Sequence, residues 1–180
     1  MMKLLCFLSS LCALVLLNSC GGNGAEKEAR ALASRMSPRE AQLAVGVWQA
    51  ANGYRESIGK GEMEAHRGLT ALAQKHAERL RNLQGAPVPE EHQFASRAVR
   101  VYRDYKMAFV QEFVYTGEVS DGREAVWYWQ SQELLRRQLG TNWNRCGVGV
   151  AVTEDGQAHV VMLTGLRSAH NRLNGPPGGM

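Results

Sequence analysis

The sequence predicts an α+β domain with a mainly antiparallel sheet, and three observations predict it. Residues 37–59, 69–83 and 95–106 carry apolar side chains at helical spacing. From Met107 the pattern changes to a Val-, Phe- and Tyr-rich run that suits a strand. Further on, 147–152 and 158–164 are two apolar strands around Asp155-Gly156, a pair suited to a tight hairpin turn. Helices first and strands later argue for stacked layers rather than alternating βαβ units.

Taken in order, the chain opens with Lys3 and an apolar run from Leu4 to Leu17. That run fits the core of a signal peptide and is short for a membrane span of ~20 residues. It ends Leu17-Asn18-Ser19-Cys20-Gly21-Gly22, which resembles the lipobox of bacterial lipoproteins. The resemblance implies cleavage before Cys20 and acylation there, with 1–19 as signal peptide. Several acyl chains hold a protein at a membrane where a single chain gives only marginal binding. Residues 20–36 then read as a tether. With Cys6 and Cys12 removed and Cys20 acylated, only Cys146 remains, so no intramolecular disulfide is expected. Its apolar surroundings suit a buried small hydrophobe rather than a nucleophile.

Ser37-Pro38-Arg39-Glu40 carries three helix-start signals: a Ser N-cap, Pro at the first turn and Glu completing a capping box. Leu43, Val47, Ala50, Ala51 and Tyr54 form the apolar face, and Gly59 ends the helix. The second helix places Leu69, Leu72, Ala73, His76, Ala77 and Leu80 on one stripe, with Gln74, Lys75, Glu78 and Arg79 opposite. Gly85-Ala86-Pro87-Val88-Pro89 breaks it. The third helix carries Arg97, Arg100, Arg103 and Lys106 at a spacing of three. With no aromatic interleaving, that stripe is expected to be a solvated face, and nucleic acid is not an expected partner. The composition agrees: 180 residues, 44% hydrophobic, 21% charged, with a formal charge of +4 from scattered basic residues.

A strand over 107–115 precedes a helix from Arg123 to about Gln132, with Ala125, Val126 and Trp129 inward. Trp127 and Trp129 cannot share one helix face, so Trp127 is expected to be peripheral. The domain is expected over 37–166, and the aperiodic tail 167–180 is expected to be disordered.

Several short motifs, in order, resemble the bacterial branch of the CAP superfamily, also called SCP or sperm-coating-protein domains. They are Asn52-Gly53-Tyr54-Arg55, Leu69 to Ala73 with His76-Ala77, His92 followed by Arg97, Glu112, Glu124-Ala125-Val126 with Trp129 and Ser131, and Cys146-Gly147-Val148-Gly149-Val150. The resemblance covers roughly residues 42–165. It implies an α-β-α sandwich: a central sheet with helices on both faces.

It also implies a cleft lined by two histidines and acidic residues, which in some members holds a divalent metal. By position His92 is the first histidine and Glu112 the first acid. Leu134 or Leu135 stands where the second histidine belongs, Glu133 is adjacent, and Phe113 replaces the Asn after the family glutamate. A catalytic zinc site needs three protein ligands and an open position, so no metal or other cofactor is expected. His66, His76 and His159 would join such a site only by accident of folding, and His76 on its apolar stripe reads as a hydrogen-bonded core residue. His92 and Glu112 could form a general base and its orienter. No Gly-x-Ser-x-Gly elbow or Cys–His signature supplies a nucleophile.

The expected function is therefore a lipid-anchored extracytoplasmic domain on the cell envelope. It would bind a protein, glycan or small apolar or lipid ligand without catalysis, held to the membrane through Cys20. The alternative is a peptidase-like hydrolase using His92 and Glu112, and a third reading is a purely structural envelope protein.

Overall fold

The computed structural model describes residues 36–167. The signal, most of the tether and residues 168–180 lie outside them. Five helices and four strands follow one another among these residues. Helix α1 (Pro38–Ser57) opens on the expected capping box: the Ser37 hydroxyl accepts from the Glu40 N–H while Glu40 accepts from the Ser37 N–H. Strand β1 (Glu64–Ala65) leads into helix α2 (Arg67–Leu83), then a 3₁₀ turn (Glu90–His92) and helix α3 (Phe94–Tyr105). Strand β2 (Met107–Glu118) precedes helices α4 (Arg123–Ser131) and α5 (Glu133–Leu139), and strands β3 (Arg145–Val152) and β4 (Gln157–Arg167) close the order.

The sheet runs β1–β3–β4–β2, with β1 parallel to β3 and the other pairs antiparallel. Its two faces bury separate clusters. Leu43, Val47, Phe113, Trp129 and Leu139 form one, under α1, α4 and α5. Leu69, Leu72, Ala73, Val101 and Leu163 form the other, under α2 and α3. Helices on both faces of a mainly antiparallel sheet make the α-β-α sandwich.

Gly147 and Gly149 explain why β3 is glycine-rich. A Cβ on Gly147 would stand 2.0 Å from the Thr70 nitrogen, and one on Gly149 2.2 Å from the Gln74 nitrogen. The α2 backbone therefore lies directly on β3, where only glycine leaves room. Gln74, expected on the polar face of α2, is instead buried. Its amide donates to the Val150 carbonyl and accepts from the Val150 N–H, both at 2.9 Å. It thus satisfies the β3 edge beyond the two-residue β1, where an unpaired buried peptide would be costly.

Three boundaries differ from the sequence expectation. β2 continues to Glu118, and Arg167 is the last residue of β4 rather than the first of a tail. The stretch after Ser131, for which no element was expected, forms the separate helix α5. The 153–156 hairpin turn forms as expected, with Gly156 at φ 91° and its N–H donating to the Thr153 carbonyl.

Candidate functional site

Alternation along β2 divides its side chains between the two faces. Phe113 points into the first cluster, 5.5 Å from the ring of Trp129. Its neighbour Glu112 points the other way, beneath α2 and α3. There the Arg97 guanidinium grips both carboxylate oxygens: Nε donates to Oε2 at 2.7 Å and Nη2 donates to Oε1. Arg97 Nη1 donates to the His92 carbonyl. A fork-to-fork pair of this kind fixes geometry as well as charge.

Arg97, which holds Glu112, lines with His92 a cavity of about 250 Å³ between α2 and α3. Leu72, Lys75, His76 and Arg79 line it from α2; Glu91, His92, Ser96, Arg97 and Arg100 complete it. His76 is buried, and its Nε2 lies 3.8 Å from Glu112 Oε1. Burial chiefly, then the charges of Arg97 and Arg79, hold it down to about 3 from the ordinary 6.5. A neutral imidazole at that separation is a neighbour of the carboxylate, not its ion-pair partner. Among the described residues His76 Nδ1 has no hydrogen-bond partner, which departs from the satisfied core histidine expected of it.

The structure brings His92 and Glu112 to one place, but in different roles from a base and its orienter. His92 contributes its carbonyl through Arg97, while its ring, 40% exposed, sits 3.9 Å from the Glu91 carboxylate. The other two cleft candidates are elsewhere. Glu133 is exposed and pairs with Arg137 one turn along α5 at 2.7 Å, and Leu134 is 66% exposed. Helix α5 packs into the opposite cluster through Leu135 and Leu139, so neither residue reaches the Glu112 face. The arginine stripe of α3 is likewise not one solvated face: Arg97 is buried, Arg100 lines the cavity, and Arg103 is exposed beside Asp104. Lys75, Arg79, Glu91, Ser96 and Arg100 were not foreseen. The usable signal was the pairing of Lys75 and Arg79, four apart, with Arg97 and Arg100, three apart, on facing helices.

Other singled-out residues hold structure. The Arg55 guanidinium of the Asn-x-x-Arg motif, 1% exposed, donates to four carbonyls, those of Gly61, Leu139, Thr141 and Trp143. Asn52 clasps Met63 through both its N–H and its carbonyl. His66 caps α2 by accepting from the Leu69 N–H, and His159 Nδ1 lies 3.1 Å from the Thr116 hydroxyl. Burial pushes the Cys146 thiol up to about 12, so it is inert at neutral pH. Trp129 is fully buried and donates to the Val114 carbonyl at 3.0 Å, whereas Trp127 is 59% exposed with Arg123 over its ring.

The donor set does not fit a divalent metal. Both Glu112 oxygens are taken by Arg97, and among the described residues no three His, Cys, Asp or Glu side chains converge.

The layer order and the Glu112 cleft beneath two helices define a bacterial CAP-like (SCP) fold. Three solved structures carry it. An outer surface protein from Borrelia burgdorferi superposes with a TM-score of 0.59 at 16% identity, over 68% of this chain and 90% of its own. An extracellular protein containing an SCP domain from Bacillus anthracis gives 0.57 at 16% identity, over 74% and 44%. A cysteine-rich secretory protein from Staphylococcus aureus gives 0.56 at 11% identity, over 72% and 40%. The chain thus spans less than half the length of the last two. No protein-family model matches the chain. No curated protein matches it in sequence.

Proposed function

We propose that this chain is a lipid-anchored, extracytoplasmic CAP-like domain that binds a ligand in the α2–α3 cavity and does not catalyse. The observation that carries this reading is the Arg97 grip on Glu112. A carboxylate with both oxygens in charge-assisted hydrogen bonds is a poor base and a poor metal ligand. Ser96 lines the cavity, yet among the described residues no hydrogen bond joins its hydroxyl to a histidine, as an activated nucleophile requires. The lipoprotein-like Cys20 and the likeness to an outer surface protein and to an extracellular protein support a place at the cell envelope.

Incubation with a peptide library tests the catalytic half: no cleavage is expected, and turnover abolished by Glu112→Gln would restore the hydrolase. Fractionation tests the anchor. Cys20→Ser is expected to release the protein from membranes, and a variant that stays bound would refute acylation.

A further inference from the structure

The charges around the α2–α3 cavity divide into engaged and unengaged ones. Arg97 is engaged with Glu112, and Arg100 is paired with Asp104, its Nε 3.4 Å from Oδ2. His76 is neutral in the fold at ordinary pH. That leaves Lys75 and Arg79, one turn apart on α2 and both lining the cavity. Among the described residues neither makes a side-chain hydrogen bond or an ion pair. Lys75 is exposed, as lysines usually are, and carries no argument by itself. Arg79 differs: it is half-buried, and burial, then the Arg97 charge, holds its guanidinium below the ordinary value. Its five donors, held in a fixed fork, are thus partly withdrawn from water with no acceptor to receive them. The carboxylate that favours its charge is Glu91, which is exposed and lies 3.9 Å from the His92 ring.

An arginine fork matches the two coplanar oxygens of a carboxylate, and Arg97 shows the fit beside the same cavity by taking both oxygens of Glu112. We propose that this cavity binds its ligand through one carboxylate group, gripped by Arg79 with Lys75 beside it. One negative charge is what the site lacks. Lys75 and Arg79 share the lining with one unengaged acid, Glu91, so a monoanion neutralises the site and a dianion would overshoot. The volume of about 250 Å³ falls below that of an ordinary drug-sized pocket, and Leu72 is its aliphatic lining. Those dimensions suit a small acid or the last residues of a peptide. The inference rests on the non-catalytic binding reading and names the chemistry of the ligand.

The test is calorimetric titration of the full-length protein in neutral detergent with N-acetylalanine and with N-acetyl-dialanine, each as the free acid and as the C-terminal amide. Saturable one-to-one binding of the acids is expected, weakening as salt is raised, with the amides at least about tenfold weaker. Arg79→Gln is expected to weaken the acids about tenfold while the thermal midpoint holds. Arg79→Lys should recover only part of that loss, since it restores the charge without the fork. Tighter binding of the dipeptide would support the site and assign the carboxylate to a peptide C-terminus. Equal or tighter binding of N-acetylalanine would support it and assign a small free acid. The proposal is overturned by no saturable binding of either acid up to about 10 mM, by amides that bind as tightly as acids, or by affinity unchanged in Arg79→Gln. Diethyl phosphate, a monoanion of another shape, binding as tightly as the acids would overturn it too. None of these touches the non-catalytic reading, which only turnover refutes. Cleavage of the dipeptide during the titration, lost in Arg79→Gln, would leave the carboxylate site standing and sink that reading instead.

Discussion

Arg55 and Arg97 are both buried guanidinium groups, on helices packed against opposite faces of one sheet, and their charges are satisfied in different ways. Among the described residues Arg55 has no carboxylate partner. It ties four carbonyls from the 59–65 and 139–143 connections to α1, so its donors end in main chain. Arg97 spends its donors on Glu112 and the His92 carbonyl, beside an open cavity with more cations. One is a closed knot. The other is the floor of a space, and in a family-like cleft that contrast separates the residues that hold the fold from those free to meet a ligand.

The largest expected effect falls on the knot. Arg55→Met should cost more than about 4 kcal/mol, since four buried acceptors lose charge-assisted partners at once. Denaturant unfolding would measure it, and a loss under about 1 kcal/mol would mean water replaces the guanidinium freely. Arg97→Met should cost about 3 kcal/mol, because it strands the Glu112 charge in a buried site. Adding Glu112→Gln should recover part of that loss, as the stranded charge is gone. No such recovery is possible for Arg55, whose partners are peptides; additive losses in the Arg97 and Glu112 cycle would break the comparison.

The knot was half legible. Asn52 and Arg55 stand out by their resemblance to the family motif, but which carbonyls Arg55 meets depends on the 139–143 connection, more than 80 residues away. The layered α+β class followed from period and order, because apolar spacing reports burial directly; the sandwich followed from the family resemblance. The cleft read less well. His92 and Glu112 were found, yet Glu133 and Leu134 were placed with them on the assumption that α5 reaches the same face. Strand alternation sends Phe113, not Glu112, towards that helix, and the sequence contains no marker for which face a connection takes. Gln74 was misplaced for a related reason: a polar residue is buried when it replaces a missing strand partner, and the brevity of β1 has no local signature.

A smaller effect concerns pH and the floor of the cavity. His76 is faced by Glu112, Arg97, Arg79 and His92, and it stays neutral in the fold down to about 3. Unfolded, it protonates near 6.5. Between these values the unfolded chain binds the extra proton, so stability is complete above 6.5 and falls as the pH is lowered. The contribution is at most about 1.4 kcal/mol per pH unit. His66, held down to about 4 chiefly by burial, acts in the same direction over a narrower window. Chemical denaturation of His76→Gln at pH 7 and pH 4.5 should show a shallower acid loss than the parent. An unchanged loss would mean that the floor admits a proton without opening.

The smallest expected change is the most discriminating for the comparison. Arg79 contributes no ion pair to the fold among the described residues, and it stands in the repulsive field of Arg97. Arg79→Gln should therefore leave stability within about 0.5 kcal/mol of the parent, with a slight gain at low salt that vanishes as screening shortens the reach of the Arg97 charge. Guanidinium unfolding is itself a salt, so urea at low and at high sodium chloride is the suitable measurement. A loss of about 2 kcal/mol would place Arg79 in the knot class with Arg55, as a cation the fold needs. A neutral or favourable change would leave it as a cation the fold tolerates at some cost, which is what a charge kept for a ligand looks like.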